Sequence, residues 1–123
     1  MEYCEGRNLK SLLLSDYYRK AIMPNPKYFS TKVSLDILHA LAQIRNSLVS
    51  NRDIKPDNVI VQVDEDFRVS AKIVDFGEAK FHIKEASSRV GTLGYMAPEV
   101  QAGRPYTEAC DCWSLGISLY EIF

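Results

Sequence analysis

Cysteine is scarce in this chain: Cys4, Cys110 and Cys112 are the only three in 123 residues. So sparse and odd a set cannot build the disulfide framework of a small secreted domain, and it suits a reducing compartment, cytoplasmic by default with the nucleus as the alternative. Cys110 and Cys112 are spaced like a metal-binding pair, yet helical residues two apart point to different sides, so packing is their expected role. Long apolar runs are missing too. None approaches the roughly eighteen residues of a membrane span, and no charged start leads into an apolar stretch of signal-peptide form. Fifteen Lys and Arg against sixteen Asp and Glu leave a net charge of −1, which argues against nucleic acid or an anionic membrane as partner. Repeats and low-complexity tracts are absent. What is present, 46% hydrophobic and 25% charged residues, is the composition of one ordinary domain able to bury a core.

Along the chain, Met1 to Cys4 is apolar enough to end a strand, and Asn8 before Leu9, Leu12 and Leu13 reads as the cap of a short helix. Pro24, Asn25 and Pro26 break the pattern, so Asp16 to Ser30 is expected to be a connecting loop. Ser30 or Thr31 then caps a helix whose apolar positions, Val33, Ile37, Leu38, Leu41, Ile44 and Leu48, recur at the three-and-four spacing of one buried face. Val59 to Val63 and Val69 to Val74 read as two strands of a hairpin, joined by a polar turn at Asp64, Glu65 and Asp66. The turn lacks the glycine and later glutamate of an EF-hand loop, so it is read as solvated rather than calcium-binding. Asp75 to Pro98 is long, polar in its middle and weakly periodic, as functional surface loops are. Thr107 to Phe123 reads as a helix apolar on most faces, of the kind that sits inside a larger body.

The chemistry is concentrated in Asn51-Arg52-Asp53-Ile54-Lys55-Pro56-Asp57-Asn58, which sets a carboxylate, an ammonium and a carboxamide at a spacing suited to phosphoryl transfer. Asp75-Phe76-Gly77 follows, then Gly91-Thr92-Leu93-Gly94-Tyr95-Met96-Ala97-Pro98-Glu99, then Asp111-Cys112-Trp113-Ser114-Leu115-Gly116. Any one of these segments arises by chance. On all four in this order the chain resembles the eukaryotic protein kinase family, over residues 1–123. The resemblance implies an α+β fold: a partial C-terminal lobe, mostly helical, with a small β-hairpin and a long activation loop. It also implies a Ser/Thr protein kinase that moves the γ-phosphate of ATP to a hydroxyl of a protein substrate, with Mg²⁺ as cofactor. Its rival is a pseudokinase-like binding or scaffold fragment without turnover.

Carried over residue by residue, Asp53 matches the catalytic base that orients the acceptor hydroxyl, and Lys55 the lysine that steadies the transferring phosphate and helps bind the nucleotide. Asn58 and Asp75 match the metal ligands, offering the oxygen donors that Mg²⁺ prefers. Thr92 resembles the threonine whose hydroxyl bonds the base and the lysine. With Lys55-Pro56, it points to Ser/Thr specificity. Arg52 resembles the arginine that holds a phosphate added to the activation loop, for which Ser87 and Ser88 are the candidate acceptors. Asp111 resembles the helix carboxylate that accepts a backbone N–H from the catalytic loop. Met1 to Gly6 resembles the hinge between lobes, with the backbone of Glu2 and Cys4 facing adenine and Met1 as gatekeeper. That phrase looks closest to NIMA-related kinases, although Asn8 stands where they often have Asp.

Three departures accompany the resemblance. Asn51 replaces the family's His and, being shorter and without a ring, is expected to support Phe76 less well. The Gly-rich loop, the strand lysine and its helix glutamate have no counterpart in these residues. Nor do the helices beyond Phe123, with the arginine that usually pairs Glu99, so a buried, unpaired Glu99 is expected to cost stability. The expectation is therefore a piece of a longer gene model or a degenerate copy, running from the hinge to the central helix of the lower lobe. Such a piece, isolated, should melt without cooperativity and aggregate through uncovered edges and apolar faces.

Overall fold

The computed structural model describes residues 6–15, 25–81 and 87–123, so Met1, Glu2 and Cys4, and with them the strand and hinge expected there, lie outside the described residues. The architecture is α+β. Strand β1 (Arg7–Asn8) leads into helix α1 (Leu9–Leu14), where Asn8 accepts a hydrogen bond from the Ser11 N–H as the cap expected from sequence. Helix α2 runs from Pro26 to Asn46. It starts earlier than Ser30 because Asn25 caps it through the Tyr28 N–H and Pro26 occupies the first turn, where proline has no bond to lose. Pro26, read as a breaker, is thus a start signal, and residues 16–24 of the expected loop lie outside the described residues. At the other end Leu48 is outside the helix, in a left-handed conformation and exposed, so it does not continue the buried face.

β2 (Val49–Ser50) follows, then a 3₁₀ turn (Pro56–Asn58) and the hairpin β3 (Val59–Val63) and β4 (Val69–Ile73). The strands pair antiparallel with Val59 opposite Ile73 and Val63 opposite Val69, and β1 adds to the far side of β3. Asp64 closes the turn by accepting from the Asp66 and Arg68 N–H groups, so its carboxylate is spent on backbone. A short β5 (Lys80–Phe81) pairs back onto β2 inside the stretch read as a loop. The chain then makes a 3₁₀ turn (Leu93–Tyr95), a one-turn helix α3 (Pro98–Gln101) and helix α4 (Ala109–Ile122).

One core joins these pieces: Leu9 and Leu12 of α1, Phe29, Val33 and Ile37 of α2, Ile54 from the loop before the 3₁₀ turn, Val59, Val61 and Val69 of the hairpin, and Leu115 and Ile122 of α4. Each such side chain contributes about 1.5–3 kcal/mol on burial. Helix α2 is further pinned to the hairpin by Asp36, whose carboxylate accepts the Ala71 N–H at 3.0 Å, and to α4 by the Ser30 hydroxyl on the Ile122 carbonyl. A smaller cluster of Ala97, Val100, Tyr106 and Cys110 holds α3 to the start of α4. Helix α4 departs from the sequence reading in its orientation. Its buried side carries Asp111, Ser114 and Ser118 beside Leu115, while Trp113, Tyr120 and Phe123 are exposed. Among the described residues no helix is long and apolar enough to cross a membrane.

Candidate active site

Residues 51–58 form a loop that ends in the 3₁₀ turn and is anchored from below. Ile54 and Pro56 are buried, with half-buried Lys55 between them. Both oxygens of Asp111 hold its start, Oδ2 accepting the Asn51 N–H at 2.7 Å and Oδ1 the Arg52 N–H at 2.8 Å. Arg52 needs that hold: its φ of 68° lies in the left-handed region, which costs a branched or long side chain about 1–3 kcal/mol. From the other side Gly91 packs against it. With φ at 113°, a Cβ on Gly91 would lie 2.4 Å from the Arg52 carbonyl oxygen, so only glycine fits there.

At the centre is the Asp53 carboxylate. Its Oδ1 accepts from the Thr92 hydroxyl at 2.7 Å, and its Oδ2 pairs with the Lys55 ammonium at 3.1 Å and accepts from Asn58 Nδ2 at 3.0 Å. Lys55 also donates to Thr92 Oγ1 at 2.5 Å, so Asp53, Lys55 and Thr92 form a closed triangle. Burial pushes the Asp53 carboxyl up, but hydrogen bonds from Thr92, Lys55 and Asn58 together with the charge on Lys55 outweigh it and hold the group below its ordinary 3.8. Such a carboxylate is ionised at neutral pH and is a weak base. It suits orienting a hydroxyl and accepting its proton late in a reaction, more than abstracting it at the outset.

Asn58 and Asp75 are 17 positions apart in the chain, and the hairpin brings them together. The Val74 N–H donates to the Asn58 carbonyl at 2.8 Å, which sets Asp75 beside residues 51–58. Asn58 donates through Nδ2 to the Asp53 carbonyl and carboxylate, leaving its Oδ1 without a hydrogen bond among the described residues. Asp75 is exposed, also at positive φ, with Oδ1 accepting the Gly77 N–H at 3.0 Å. An amide oxygen and an exposed carboxylate are hard oxygen donors, the set that fits Mg²⁺ and leaves room for water and phosphate oxygens.

Asn51 joins the two motifs. Fully buried, it donates through Nδ2 to the Asp75 carbonyl at 3.2 Å and accepts the Asp53 N–H at 3.1 Å. Phe76 beside it is half exposed. Arg52 reaches the later loop: its Nε donates to the Glu78 carbonyl at 2.5 Å and its Nη1 to Ser88 Oγ at 3.1 Å. Among the described residues Arg52 bonds Ser88 and not Ser87, although both serines are exposed. Glu99 is half-buried and not buried, with no ion pair among the described residues, which lightens the cost expected of it.

Two constellations escape sequence reasoning. Tyr106, 3% exposed, receives a hydrogen bond from Arg52 Nη1 at 3.2 Å and donates to the Ser88 carbonyl at 2.9 Å. Glu121 on α4 accepts from Lys10 of α1 and from Tyr95, each at 2.5 Å, tying two helices to the turn after Thr92. Neither has a local signal, because the partners are far apart in sequence. Cys110 and Cys112 point apart, one buried and one exposed, and burial with Asp111 and Glu99 nearby pushes the Cys110 thiol up to about 12.

Residues 1–123 match the family model described as protein kinase domain. The chain is 32% identical to serine/threonine-protein kinase DCLK3 of Mus musculus, over 98% of this chain and 14% of that protein. It is 36% identical to cAMP-dependent protein kinase type 3 of Saccharomyces cerevisiae, over 99% of this chain and 28% of the relative. It is 34% identical to the dual specificity mitogen-activated protein kinase kinase mek-2 of Caenorhabditis elegans, over 99% and 30%. The chain thus spans under a third of the length of each of these relatives.

Proposed function

The chain belongs to the protein kinase family, and from that premise we propose that it is the catalytic part of a Ser/Thr protein kinase, moving the γ-phosphate of ATP to a protein hydroxyl. The observation that carries this is the closed triangle of Asp53, Lys55 and Thr92. Family members generally use ATP and Mg²⁺. Here Asn58 and Asp75 would hold the metal, which when bound neutralises charge on the phosphate oxygens. Residues 1–123 are read as part of a larger kinase domain, with Glu2 and Cys4 at the adenine.

In this reading Asp53 orients the acceptor hydroxyl through the carboxylate edge that its partners leave open and takes its proton as the new bond forms. Lys55 offers its ammonium to the transferring phosphate while the Thr92 hydroxyl keeps both groups in register. Positioning of this kind supplies much of the rate in phosphoryl transfer, because the protein has little covalent chemistry to do. Serine or threonine as acceptor is supported by Lys55-Pro56 and Thr92, which match the Ser/Thr members of the family, and by the similarity to serine/threonine-protein kinase DCLK3. Arg52 is the receptor for a phosphate on Ser88, whose oxygen already lies against the guanidinium. Ser87 is the lesser candidate.

A second reading, a binding or scaffold domain without turnover, is favoured by Asn51 in place of histidine and by the half-exposed Phe76. Calorimetric titration of the complete protein with ATP and Mg²⁺, followed by phosphoamino-acid analysis of a generic basic substrate, separates the two. Metal-dependent binding, weakened in Asp75→Ala, together with phosphoserine or phosphothreonine in the product supports the kinase reading. Nucleotide binding without product supports the scaffold, and phosphotyrosine alone overturns the assigned specificity.

A further inference from the structure

Tyr106 is more buried than its polar tip accounts for by packing alone. Its ring lies in the cluster with Ala97, Val100 and Cys110, and its hydroxyl is aimed at the catalytic stretch. There the hydroxyl does two things at once. It accepts from Arg52 Nη1 at 3.2 Å and donates to the Ser88 carbonyl at 2.9 Å, with Ser88 Oγ a further 3.4 Å away. The carbonyl contact is to backbone, so it persists whatever happens to the serine side chain. Arg52 in turn is the residue before Asp53 and is held at positive φ by Asp111. A buried phenol therefore fastens the loop at Ser88 to the guanidinium next to Asp53.

We propose that Tyr106 is a positioning residue for the transfer reaction: it acts through Arg52, clamping the loop at Ser88 so that the loop's position is passed to the stretch carrying Asp53. This rests on the kinase reading for its effect on rate, while the clamp itself does not. A chain with phenylalanine at 106 keeps the ring in its cluster and loses only the hydroxyl, so the fold is retained. The hydroxyl also faces Ser88 Oγ, so a phosphate there would be received by guanidinium and phenol together.

The experiment is Tyr106→Phe in the complete protein, alone and combined with Arg52→Ala, with two readouts. Tryptic cleavage after the exposed Arg89 reports the clamp without any activity, and loss of the hydroxyl is expected to speed it about five- to tenfold, the effect of one hydrogen bond on local opening. An unchanged cleavage rate overturns the proposal even if the protein proves inactive. For phosphate transfer, kcat is expected to fall about three- to tenfold with KM for ATP unchanged, and the substitution should have no further effect in the Arg52→Ala background. An equal loss in both backgrounds means a purely structural role and overturns it. Absence of transfer by the unmodified protein would instead overturn the kinase reading, leaving cleavage to decide the clamp.

Discussion

Asp111 is where the structure makes its most quantitative demand. Its buried carboxylate accepts two backbone N–H groups, of Asn51 and Arg52, at 2.7 and 2.8 Å. Hydrogen bonds to a charged group contribute about 1.5–3 kcal/mol each, so Asp111→Ala forfeits about 3–6 kcal/mol at face value. Part of this returns, because Arg52 freed from its left-handed conformation relieves about 1–3 kcal/mol of strain. The net expectation is a loss of about 2–3 kcal/mol, a sizeable share of the roughly 5–15 kcal/mol that stabilises a domain. Asp111→Asn keeps one oxygen and turns an amide N–H toward the other donor, so it should lose about 1.5–3 kcal/mol. Urea unfolding of the complete protein measures both, and a slope of about 1–3 kcal/mol per molar translates the alanine loss into a midpoint lower by about one molar. Glu99→Gln serves as the control, being half-buried with no ion pair among the described residues. An Asp111→Asn variant within about 0.5 kcal/mol of the parent would refute the reasoning, since that is the scale of ordinary surface changes.

Four further outcomes follow from the same geometry. Gly91→Ala should lower the melting temperature and abolish transfer, because the new Cβ meets the Arg52 carbonyl oxygen at 2.4 Å with backbone on both sides; a parent-like melt contradicts the close approach. Thr92→Ala removes the hydroxyl shared by Asp53 and Lys55, and steady-state kinetics should show kcat lower by about 10- to 100-fold, with Thr92→Ser recovering most of it. Because the folded pKa of Asp53 lies below its unfolded value of about 3.8, its ionisation stabilises the fold fully at neutral pH, and that contribution is lost as pH falls through the lower folded value; carboxyl NMR should therefore show no titration of Asp53 between pH 5 and 8. Alkylation at pH 8 followed by peptide mapping should label exposed Cys112 and spare Cys110, whose thiol is pushed up to about 12.

Local pattern made much of the fold readable. The hairpin followed from β-branched alternation, and its register then placed Asp75 beside Asn58. The body of α2 followed from Val33 and Ile37, but its start did not, because a proline is a breaker inside a helix and an asset in the first turn. β5 is two residues long and exists only through its pairing with β2, so no run of sequence announces it. The buried side of α4 was obscured for a different reason. Asp111 and Ser114 are buried because backbone groups elsewhere await them, such as the Tyr95 carbonyl that accepts from Ser114, while Ser118 bonds the Ser114 carbonyl of its own helix, and apolar counting cannot register such partners. The family resemblance named Asp53, Lys55, Asn58, Asp75 and Thr92 as candidates, whereas Tyr106 and the Lys10–Glu121–Tyr95 contact are purely tertiary.

The most direct measurement is the single-turnover rate of phosphate transfer from labelled ATP with Mg²⁺ to a protein acceptor, by the complete protein and by Asp53→Asn. If the Asp53 carboxylate orients and deprotonates the hydroxyl, the variant keeps nucleotide affinity and its rate falls by about 10²–10⁴. Equal rates in the two proteins would contradict that role.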